Sequence, residues 1–323
     1  MRNAHDVVKA LQCLIAADSR PAQAIEIAIA RGGPESAAAR ILKSWALTPE
    51  SVSPEANYSY RELLQLAARQ SLIAQIRAVQ PMRRVPFATP VLVQNYSDGA
   101  GFVAEGGLIP AGSMSFDQVR LQSRKVGSII PATREYALMV DGEAFVTADL
   151  TRAIAAAESL AFIGDDAGTD ESPAGVLYGV TPGSGSNNPA NDISALIDSF
   201  DGDLSTSAIL TSPKNGVQLH AAGFETTGAR GGELAGIAHV AHRAVPAGVV
   251  VIIDAARVLI ADDYGLELAV SGSATLDLGD SSGAATGESV SMYQTNTVAY
   301  RALRQINWQA APGSVHYLNS VGW

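Results

Sequence analysis

The hydrophobic pattern of the chain changes character near Pro86. Upstream of it, apolar residues such as Val7 and Leu11 recur at helical spacing, and a further helix is predicted over residues 60–80. Prolines and paired glycines divide these stretches in the manner of helix ends. The pattern therefore predicts a helical N-terminal region over residues 1–85.

Residues 86–132 are predicted to form an extended loop with flanking strands. Short apolar runs at 91–93 and 101–104 have the character of strands, and residues 114–130 are predicted as one long extended segment with a bulge or twist. A hairpin so polar and so rich in glycine has little hydrophobic core of its own. We therefore expect it to lie on a partner surface, which favours an assembly of several copies.

A long helix with one apolar face is predicted next, and Gly164 can end it. Its apolar face consists of Leu150, Ile154, Ala157 and Ala161. Downstream, the pattern alternates short apolar runs with polar, glycine-rich loops. The predicted segments are a loop over 165–191, a helix over 193–200, strands at 207–210 and 249–253, a strand pair at 257–261 and 266–270 around a turn, a flexible loop over 272–287, and an extended segment over 290–300.

The composition is that of a globular chain long enough for more than one sub-domain. With 323 residues, 47% of them hydrophobic and 17% charged, the chain can bury a core. Its apolar runs fall short of the roughly 18 to 20 residues of a membrane span, and the N-terminus lacks the apolar block of a signal peptide. We therefore expect no membrane partner and assembly in a cytoplasm.

The net charge of −10 is unevenly distributed. Residues 1–90 carry 11 Lys and Arg against 7 Asp and Glu, whereas residues 91–323 carry 11 against 25. An acidic body argues against a dedicated nucleic-acid-binding protein. The basic N-terminal region can face a polyanion, although chance distribution over a solvated helical surface explains its charge equally well.

Motifs for catalysis or metal binding are weak. His239 and His242 form an H-x-x-H pair, but no third ligand lies at zinc-binding spacing and the flanking pattern is extended. An acidic cluster without EF-hand spacing consists of Asp165, Asp166, Asp170 and Glu171. The sequence also lacks nucleophile-elbow, phosphate-loop and S-x-x-K motifs. We therefore expect no catalytic site, no cofactor and no metal, with structural or solvated roles for both clusters.

A series of segments carries a family resemblance through its order and spacing. The segments are GFVAEGGLIPAGSMSFDQVRLQSRKVGSIIPATREYAL, EAFVTADLTRAIAAAESLAFIGDD, ESPAGVLYGV, AILTSPKNGVQL, VPAGVVVIIDAARVLIADDYGLELAV and ESVSMYQTNTVAYRALRQINWQAAPGSVHYL. From about residue 86 to 323 the chain resembles the tailed-phage major capsid family with the Hong Kong 97-type fold. In order, the segments resemble its extended loop and exit strand, its spine helix, a short Pro-Gly segment, two parts of the axial domain, and the closing strand of the peripheral domain.

The resemblance implies an α+β fold with two linked sub-domains, peripheral and axial, and it does not extend to residues 1–85. The implied division is 1–85 as a helical N-terminal region or arm, 86–132 as the extended loop with its strands, 133–190 as the peripheral domain with the spine helix, 191–286 as the axial domain, and 287–323 as the closing strand and C-terminus. The helical segment starts at Met1, which favours an N-terminal region retained in the particle.

The resemblance also implies a function and partners. The chain is expected to be a major capsid protein of the virion that assembles itself into hexamers and pentamers of an icosahedral shell around double-stranded DNA. Portal and scaffolding or protease proteins are expected partners during assembly in the host cytoplasm, and a decoration protein is a further candidate. DNA contact is expected without base readout.

Particular residues follow from the resemblance. The candidates for inter-subunit contact are Phe102, Glu105, Arg120, Arg124 and Lys125. The candidates for facing DNA, or for clamping acidic neighbouring subunits, are Arg69, Arg77, Arg83 and Arg84. Some family members cross-link their shells through a lysine near the loop tip. Residues 95–119 contain no lysine, so we predict a shell without covalent cross-links.

Two alternatives stay open. An encapsulin-like nanocompartment shares the fold and encloses cargo enzymes, and the long glycine-rich loop with its helical N-terminal region argues mildly for a phage shell instead. A cytoplasmic hydrolase with an acidic surface is the alternative from a different class. The missing catalytic motifs disfavour it, although sequence spacing does not exclude residues brought together in space.

Overall fold

The computed structural model describes residues 9–10, 12–13, 16–17, 21–46, 71–95, 102–103, 107–108, 115–137, 142–279 and 285–323. The chain forms two compact units, each built from three stretches. Unit 1 contains Met1–Ala78, Lys125–Ile163 and Asp263–Gln305, and unit 2 contains Val79–Arg124, Gly164–Asp262 and Ile306–Trp323. Among the helices within the described ranges, none combines the length and apolar character needed to cross a bilayer.

Helices and strands alternate irregularly along the described parts of the chain. The helices are α1 (Pro21–Gly32), α2 (Ala37–Ala46), α3 (Leu72–Val79), α4 (Arg134–Ala137), α5 (Gly142–Ile163), α6 (Pro189–Asp198) and α7 (Pro213–Ala221). The strands are β1 (Arg83–Arg84), β2 (Pro90–Asn95), β3 (Ser115–Arg120), β4 (Lys125–Thr133), β5 (Gly183–Ser184), β6 (Ser207–Thr211), β7 (Gly232–Leu234), β8 (Ile237–Ala241), β9 (Val250–Asp254), β10 (Val258–Ser271), β11 (Thr275–Gly279), β12 (Ala285–Ser291), β13 (Thr297–Ala310) and β14 (Val315–Asn319).

In unit 1 the long helix α5 packs against strand β4. Strands β4 and β13 form an antiparallel ladder that runs from Thr133 opposite Thr297 to Lys125 opposite Gln305. Apolar side chains of α5 and β13 share one core with the small residues of α1 and α2. The core residues of α5 and β13 are Val146, Leu150, Ile154, Val298, Tyr300 and Ala302.

The apolar face predicted for α5 is correct in its first half and wrong in its second. Leu150 and Ile154 are buried, but Ala157 is exposed. Glu158 and Ser159 take the buried positions instead, with 2% and 0% of their surface exposed. The buried stripe follows the ridge of residues spaced four apart, and a carboxylate on that ridge does not register as apolar.

A buried polar network joins the start of α3 to α5 and β13 within unit 1. The Arg304 guanidinium forms an ion pair with the Glu158 carboxylate. The Ser71 hydroxyl donates to Glu158 Oε1 at 2.6 Å. The backbone N–H of Leu72 donates to Ser159 Oγ at 2.9 Å, which satisfies one of the amides left free at a helix N-terminus. These contacts supply partners for the polar groups that α5 buries.

The structure corrects two loop predictions between residues 257 and 291. Strand β10 is continuous through residues 262–265, where a turn was expected. Strand β11 lies inside the expected flexible loop 272–287, and it forms an antiparallel hairpin with β12, which begins near the end of that loop. The sequence did not predict the hairpin strands because they are polar, and their described side chains are exposed or only half-buried. Such strands lack the apolar alternation that predicts a half-buried strand.

Unit 2 contains a six-stranded mixed sheet with the order β5, β14, β9, β6, β8, β7. Strands β6 and β9 at its centre are buried at every position, which explains the continuous apolar runs at 208–210 and 250–253. Ile209 and Ile252 of these strands pack in one core with Leu196 of α6 and Leu219 of α7. The strands predicted at 207–210 and 249–253 are therefore confirmed to within one residue. The helix predicted over 193–200 is also confirmed, with bounds of 189–198.

The predicted extended segment over 114–130 is interrupted. Strands β2 and β3 form an antiparallel hairpin from Pro90 opposite Arg120 to Asn95 opposite Ser115. After β3 the chain leaves the strand conformation, because Leu121 turns into a small core with Val85 and other apolar residues of unit 2. Phe102 and Val103, expected in a strand, have no regular secondary structure.

Candidate functional site

The β2–β3 hairpin carries apolar side chains that unit 2 does not bury. Phe102 and Leu108 lie in the segment between the two strands, and 112% and 97% of their surface is exposed. On β2, Leu92 is also mostly exposed. Glu105, the other inter-subunit candidate in this segment, lies outside the described residues. The described tip therefore presents large apolar groups to solvent in the single chain.

The other inter-subunit candidates lie after β3. Arg120 is the last residue of β3, and its Nε donates to the Ala88 carbonyl at 2.8 Å, which ties the two arms of the hairpin together at their base. Arg124 is half-buried, whereas Lys125 is exposed at the start of β4. Arg120 and Arg124 line the same surface cavity of about 810 Å³ in unit 2. Lys125 is not among its lining residues.

The four arginines of the N-terminal candidate set are not equivalent. Arg69 lies outside the described residues. Arg77 is half-buried in the last turn of α3. Arg83 and Arg84 are exposed on β1, which pairs with β10 in parallel. One amino group of Arg84 donates to the Asp262 carbonyl at 2.6 Å, so this guanidinium is engaged within its own unit.

The histidine pair occupies a buried strand end. His239 lies on β8, and its Nε2 is 2.8 Å from the Thr211 hydroxyl of β6. Burial lowers the pKa of His239 to about 4, because desolvation disfavours the charged imidazolium. His242 follows the strand, and its Nδ1 accepts a hydrogen bond from the backbone of Ala244 at 3.1 Å. These contacts give both side chains structural roles in unit 2.

The acidic cluster lies in the long segment after α5. Asp165, Asp166, Asp170 and Glu171 are all exposed. In the part of the chain that the structure describes, no set of three or more His, Cys, Asp or Glu side chains is arranged to hold a metal ion. The cluster is thus a solvated acidic surface in this structure.

Asn307 and Trp308, which were not predicted as site residues, contribute to the cavity that Arg120 and Arg124 line. Trp308 of β13 is buried, and its Nε1 donates to the Ala174 carbonyl at 2.8 Å. Asn307 donates to the Gln122 carbonyl at 2.6 Å. Together they hold the segments on either side of the cavity that Arg120 and Arg124 line. Their strand also contains Arg301, Arg304 and Gln305, so no local pattern in the sequence distinguished them.

Solved capsid structures share the fold of this chain. The capsid of a native GTA particle has a TM-score of 0.54 and 14% sequence identity, over 77% of this chain and 91% of that chain. A structure from Mycobacterium phage Ogopogo has a TM-score of 0.53 and 14% identity, over 77% and 92% of the two chains. Together with the long α5 helix and the extended hairpin, these likenesses define the class: a chain with the Hong Kong 97-type capsid fold.

The family follows from the sequence comparison. The model described as the phage capsid family matches residues 56–305. A capsid polyprotein of Pseudomonas phage PAJU2 is 28% identical over 271 residues, which is 76% of this chain. The chain spans 41% of the length of that relative. The chain belongs to the phage capsid family, which confirms the resemblance inferred from its segments.

Proposed function

We propose that this chain is the major capsid protein of a tailed phage or a related prophage. Its copies assemble into hexamers and pentamers that close an icosahedral shell around double-stranded DNA. The observation that carries the proposal is the β2–β3 hairpin, whose described tip residues Phe102 and Leu108 are fully exposed in a chain of the phage capsid family.

The physical reason is the cost of leaving such groups in water. Each large apolar side chain contributes about 1.5 to 3 kcal/mol when it is buried. The single chain gains none of this at Phe102 or Leu108, whereas a neighbouring copy that covers the hairpin does. Closed symmetry then repeats the same contact around every ring, so a modest interface stabilises a whole shell.

Deleting residues 98–113 tests the assembly role of the hairpin. The deleted chain is expected to remain folded and soluble, because β2, β3 and the small core at the hairpin base are retained. It is expected to elute as subunits or small oligomers in gel filtration, where the full chain elutes in the void volume. Shells of normal size from the deleted chain would contradict the proposal.

Point variants separate the contact from the length of the loop. Phe102→Ser and Leu108→Ser are expected to weaken assembly together, without changing the far-ultraviolet circular dichroism of the subunit. Val217→Ser is the matched control, because Val217 is an exposed apolar residue on α7, with 51% of its surface exposed. Equal loss of assembly in all variants would show a general solubility effect instead.

The candidate arginines of the N-terminal region, residues 1–85, are proposed to act at the inner surface of the shell. Arg69, Arg77, Arg83 and Arg84 either lower the repulsion between an acidic shell and packaged DNA, or clamp acidic neighbouring subunits. Salt screens the first effect over about 8 Å at physiological ionic strength. The hydrogen bond from Arg84 to Asp262 supports a structural role for that residue. In an assembled particle, Arg69 or Arg83 paired to a neighbour's carboxylate supports clamping.

The remaining partners follow from the same proposal. Portal and scaffolding or protease proteins act during assembly in the host cytoplasm, and a decoration protein is a further candidate for the outer surface. An encapsulin-like shell is not favoured, since the family match and the similar solved structures reported above are phage and GTA capsids. The nucleic acid content of purified particles tests this point, because a cargo-enclosing shell carries no packaged genome.

A further inference from the structure

The cavity in unit 2 is lined by cationic and hydroxyl side chains. It measures about 810 Å³ and lies between the end of β3, the segment after α5, and the last part of β13. Arg120 and Arg124 stand on one side, and Thr169, Ser172 and Tyr178 carry hydroxyl groups on another. Asp170 is the acidic residue among its lining residues. Two guanidinium groups against one carboxylate leave the lining with a net positive charge.

Arg124 has an unmet hydrogen-bonding need. Its Nε is shielded from solvent and has no hydrogen-bond partner among the described residues. A buried charged donor without a partner costs more than a neutral one. Arg120 is exposed, and its Nε already donates to the Ala88 carbonyl. An anion in the cavity would lie beside both arginines, because both line it.

The walls of the cavity are held in place before any ligand arrives. Trp308 and Asn307 fix the segments at Ala174 and Gln122 through their side-chain hydrogen bonds. Gly175 packs so closely that an added Cβ would lie 1.9 Å from the Gly164 carbonyl oxygen. A cavity built this way keeps its donors in position and loses little entropy on binding.

We infer that this cavity is a carboxylate-binding site that receives an exposed Asp or Glu side chain from a second copy of the chain. The inference rests on the proposed function, because only a self-assembling chain presents that second copy. A guanidinium fork matches the two oxygens of a carboxylate. Residues 91–323 carry 25 Asp and Glu against 11 Lys and Arg, so a neighbouring copy offers many such side chains.

Charge favours a carboxylate over a nucleic acid as the occupant. One carboxylate together with Asp170 balances the two arginines, and the lining becomes neutral. A nucleic acid backbone would add further negative charges next to Asp170 and close to the exposed Glu171 and Asp166. Like charges in this position weaken the binding of a polyanion.

The test compares the full chain with Arg124→Gln and with Lys214→Gln. Lys214 is the matched control, because it is an exposed cation of unit 2 that does not line the cavity. Sedimentation measures the protein concentration at which half the chains are assembled. We expect R124Q to raise that concentration about tenfold, in line with the loss of a charge-assisted hydrogen bond, and K214Q to leave it unchanged. Arg124→Lys keeps the charge without the fork and is expected to give an intermediate value.

Free succinate distinguishes the source of the carboxylate. At constant ionic strength, succinate is expected to inhibit assembly of the wild-type chain and to have no further effect on R124Q. If R124Q assembles normally although succinate binds wild-type subunits in calorimetry, the site takes a small anion and the second-copy assignment is overturned. If a short DNA duplex binds wild type and not R124Q, the carboxylate assignment is overturned in favour of nucleic acid.

The proposed function and this inference fail in different ways. A wild-type chain that never assembles would overturn the proposed function, and with it the second copy as the source of the carboxylate. Succinate binding that disappears in R124Q would still establish the cavity as a carboxylate site. An unchanged melting temperature of R124Q excludes misfolding as the cause of lost assembly. If R124Q does not fold, R124K is used in place of R124Q in every comparison.

Discussion

Glu158 is a carboxylate in the middle of a buried helix face, with 2% of its surface exposed. Arg304 and Ser71 supply partners for this buried carboxylate. A buried ion pair adds little by itself, since desolvation of both partners offsets their attraction. Removing one partner is far more costly, because the other charge stays buried without compensation. Glu158 and Arg304 therefore fix the packing of unit 1 more than they stabilise it.

Arg304→Met is expected to lower the free energy of unfolding by about 3 to 5 kcal/mol, because it removes the positive charge that faces the buried Glu158 carboxylate. Urea denaturation of the subunit measures the change. The double variant Glu158→Leu with Arg304→Met is the control, and it is expected to lose less stability than Arg304→Met alone. A double variant that is less stable than the single one would contradict the prediction, because the buried carboxylate would then not be the source of the loss.

His239 predicts a dependence of stability on acid pH. Its folded-state pKa is about 4 against an ordinary value of 6.5, so the unfolded chain binds a proton more readily. The contribution of neutral His239 is complete above pH 6.5 and is lost as the pH falls from 6.5 to about 4. The loss amounts to about 3 kcal/mol for the full shift.

Denaturation of the wild type and of His239→Gln across this pH range measures the effect. Because glutamine does not titrate, the difference in unfolding free energy between the two chains is expected to change between pH 6.5 and about 4 and to be constant above. A difference that stays constant throughout would mean that His239 is protonated at its ordinary pKa in the folded chain.

At the scale of elements, α5 shows which features of a helix its hydrophobic periodicity predicts and which it does not. Helical spacing predicts the helix and its end near Gly164, and the structure ends it at Ile163. The prediction of Ala157 as a core position is wrong, because the stripe continues through Glu158. A pattern of apolar residues locates an amphipathic helix but not a polar group whose partner comes from a strand more than a hundred residues away.

The segment that follows α5 depends on close backbone contact at Gly175. An alanine there would place its Cβ 1.9 Å from the carbonyl oxygen of Gly164 and 2.3 Å from its carbonyl carbon. Because both are backbone atoms, Gly175→Ala forces the segment to move, and we expect a loss of about 1 to 3 kcal/mol. Thermal denaturation measures it.

Gly228→Ala is the matched control for this prediction. Nothing lies within 4 Å of an added Cβ at Gly228, which belongs to the same unit. Its melting temperature is expected to match that of the wild type or to exceed it slightly, since alanine restricts the unfolded chain. An equal loss in both variants would argue that glycine flexibility, and not close approach, matters at residue 175.

At the scale of the whole molecule, the proposed shell has to be held together by contacts that form between copies. Residues 95–119 contain no lysine, and Lys125 lies at the start of β4 opposite Gln305. A lysine in a strand ladder does not sit at a loop tip that reaches a neighbour. Shell stability is therefore predicted to be non-covalent, through the exposed hairpin and the proposed carboxylate site.

Boiled and reduced particles are expected to run as a single band near the monomer mass of 33.5 kDa. Denaturing gel electrophoresis of purified particles is the measurement. Particles of the Lys125→Arg variant provide the control, with the same single band expected. A ladder of covalent multimers in the wild type that disappears in this variant would contradict the prediction and assign the cross-link to Lys125.

The sequence by itself determined the class of elements and their order. The spine-like helix and the buried strands β6 and β9 carry a local signal, because burial on one or both faces imposes an apolar pattern. The extended hairpin is marked instead by its polar, glycine-rich sequence. Order and spacing of these segments were sufficient for the family, which the match over residues 56–305 confirms. The division into five segments and the roles of the individual arginines remain predictions.

Only the tertiary structure decided which polar groups meet. Glu158 contacts Ser71 and Arg304, which lie 87 and 146 positions away from it along the chain. The cavity brings Arg120 and Arg124 beside Thr169 and Trp308 in the same way. Strand β10 and the β11–β12 hairpin are likewise held by backbone pairing, which carries no side-chain signature. Local patterns record burial, whereas pairing of polar groups depends on how distant segments pack.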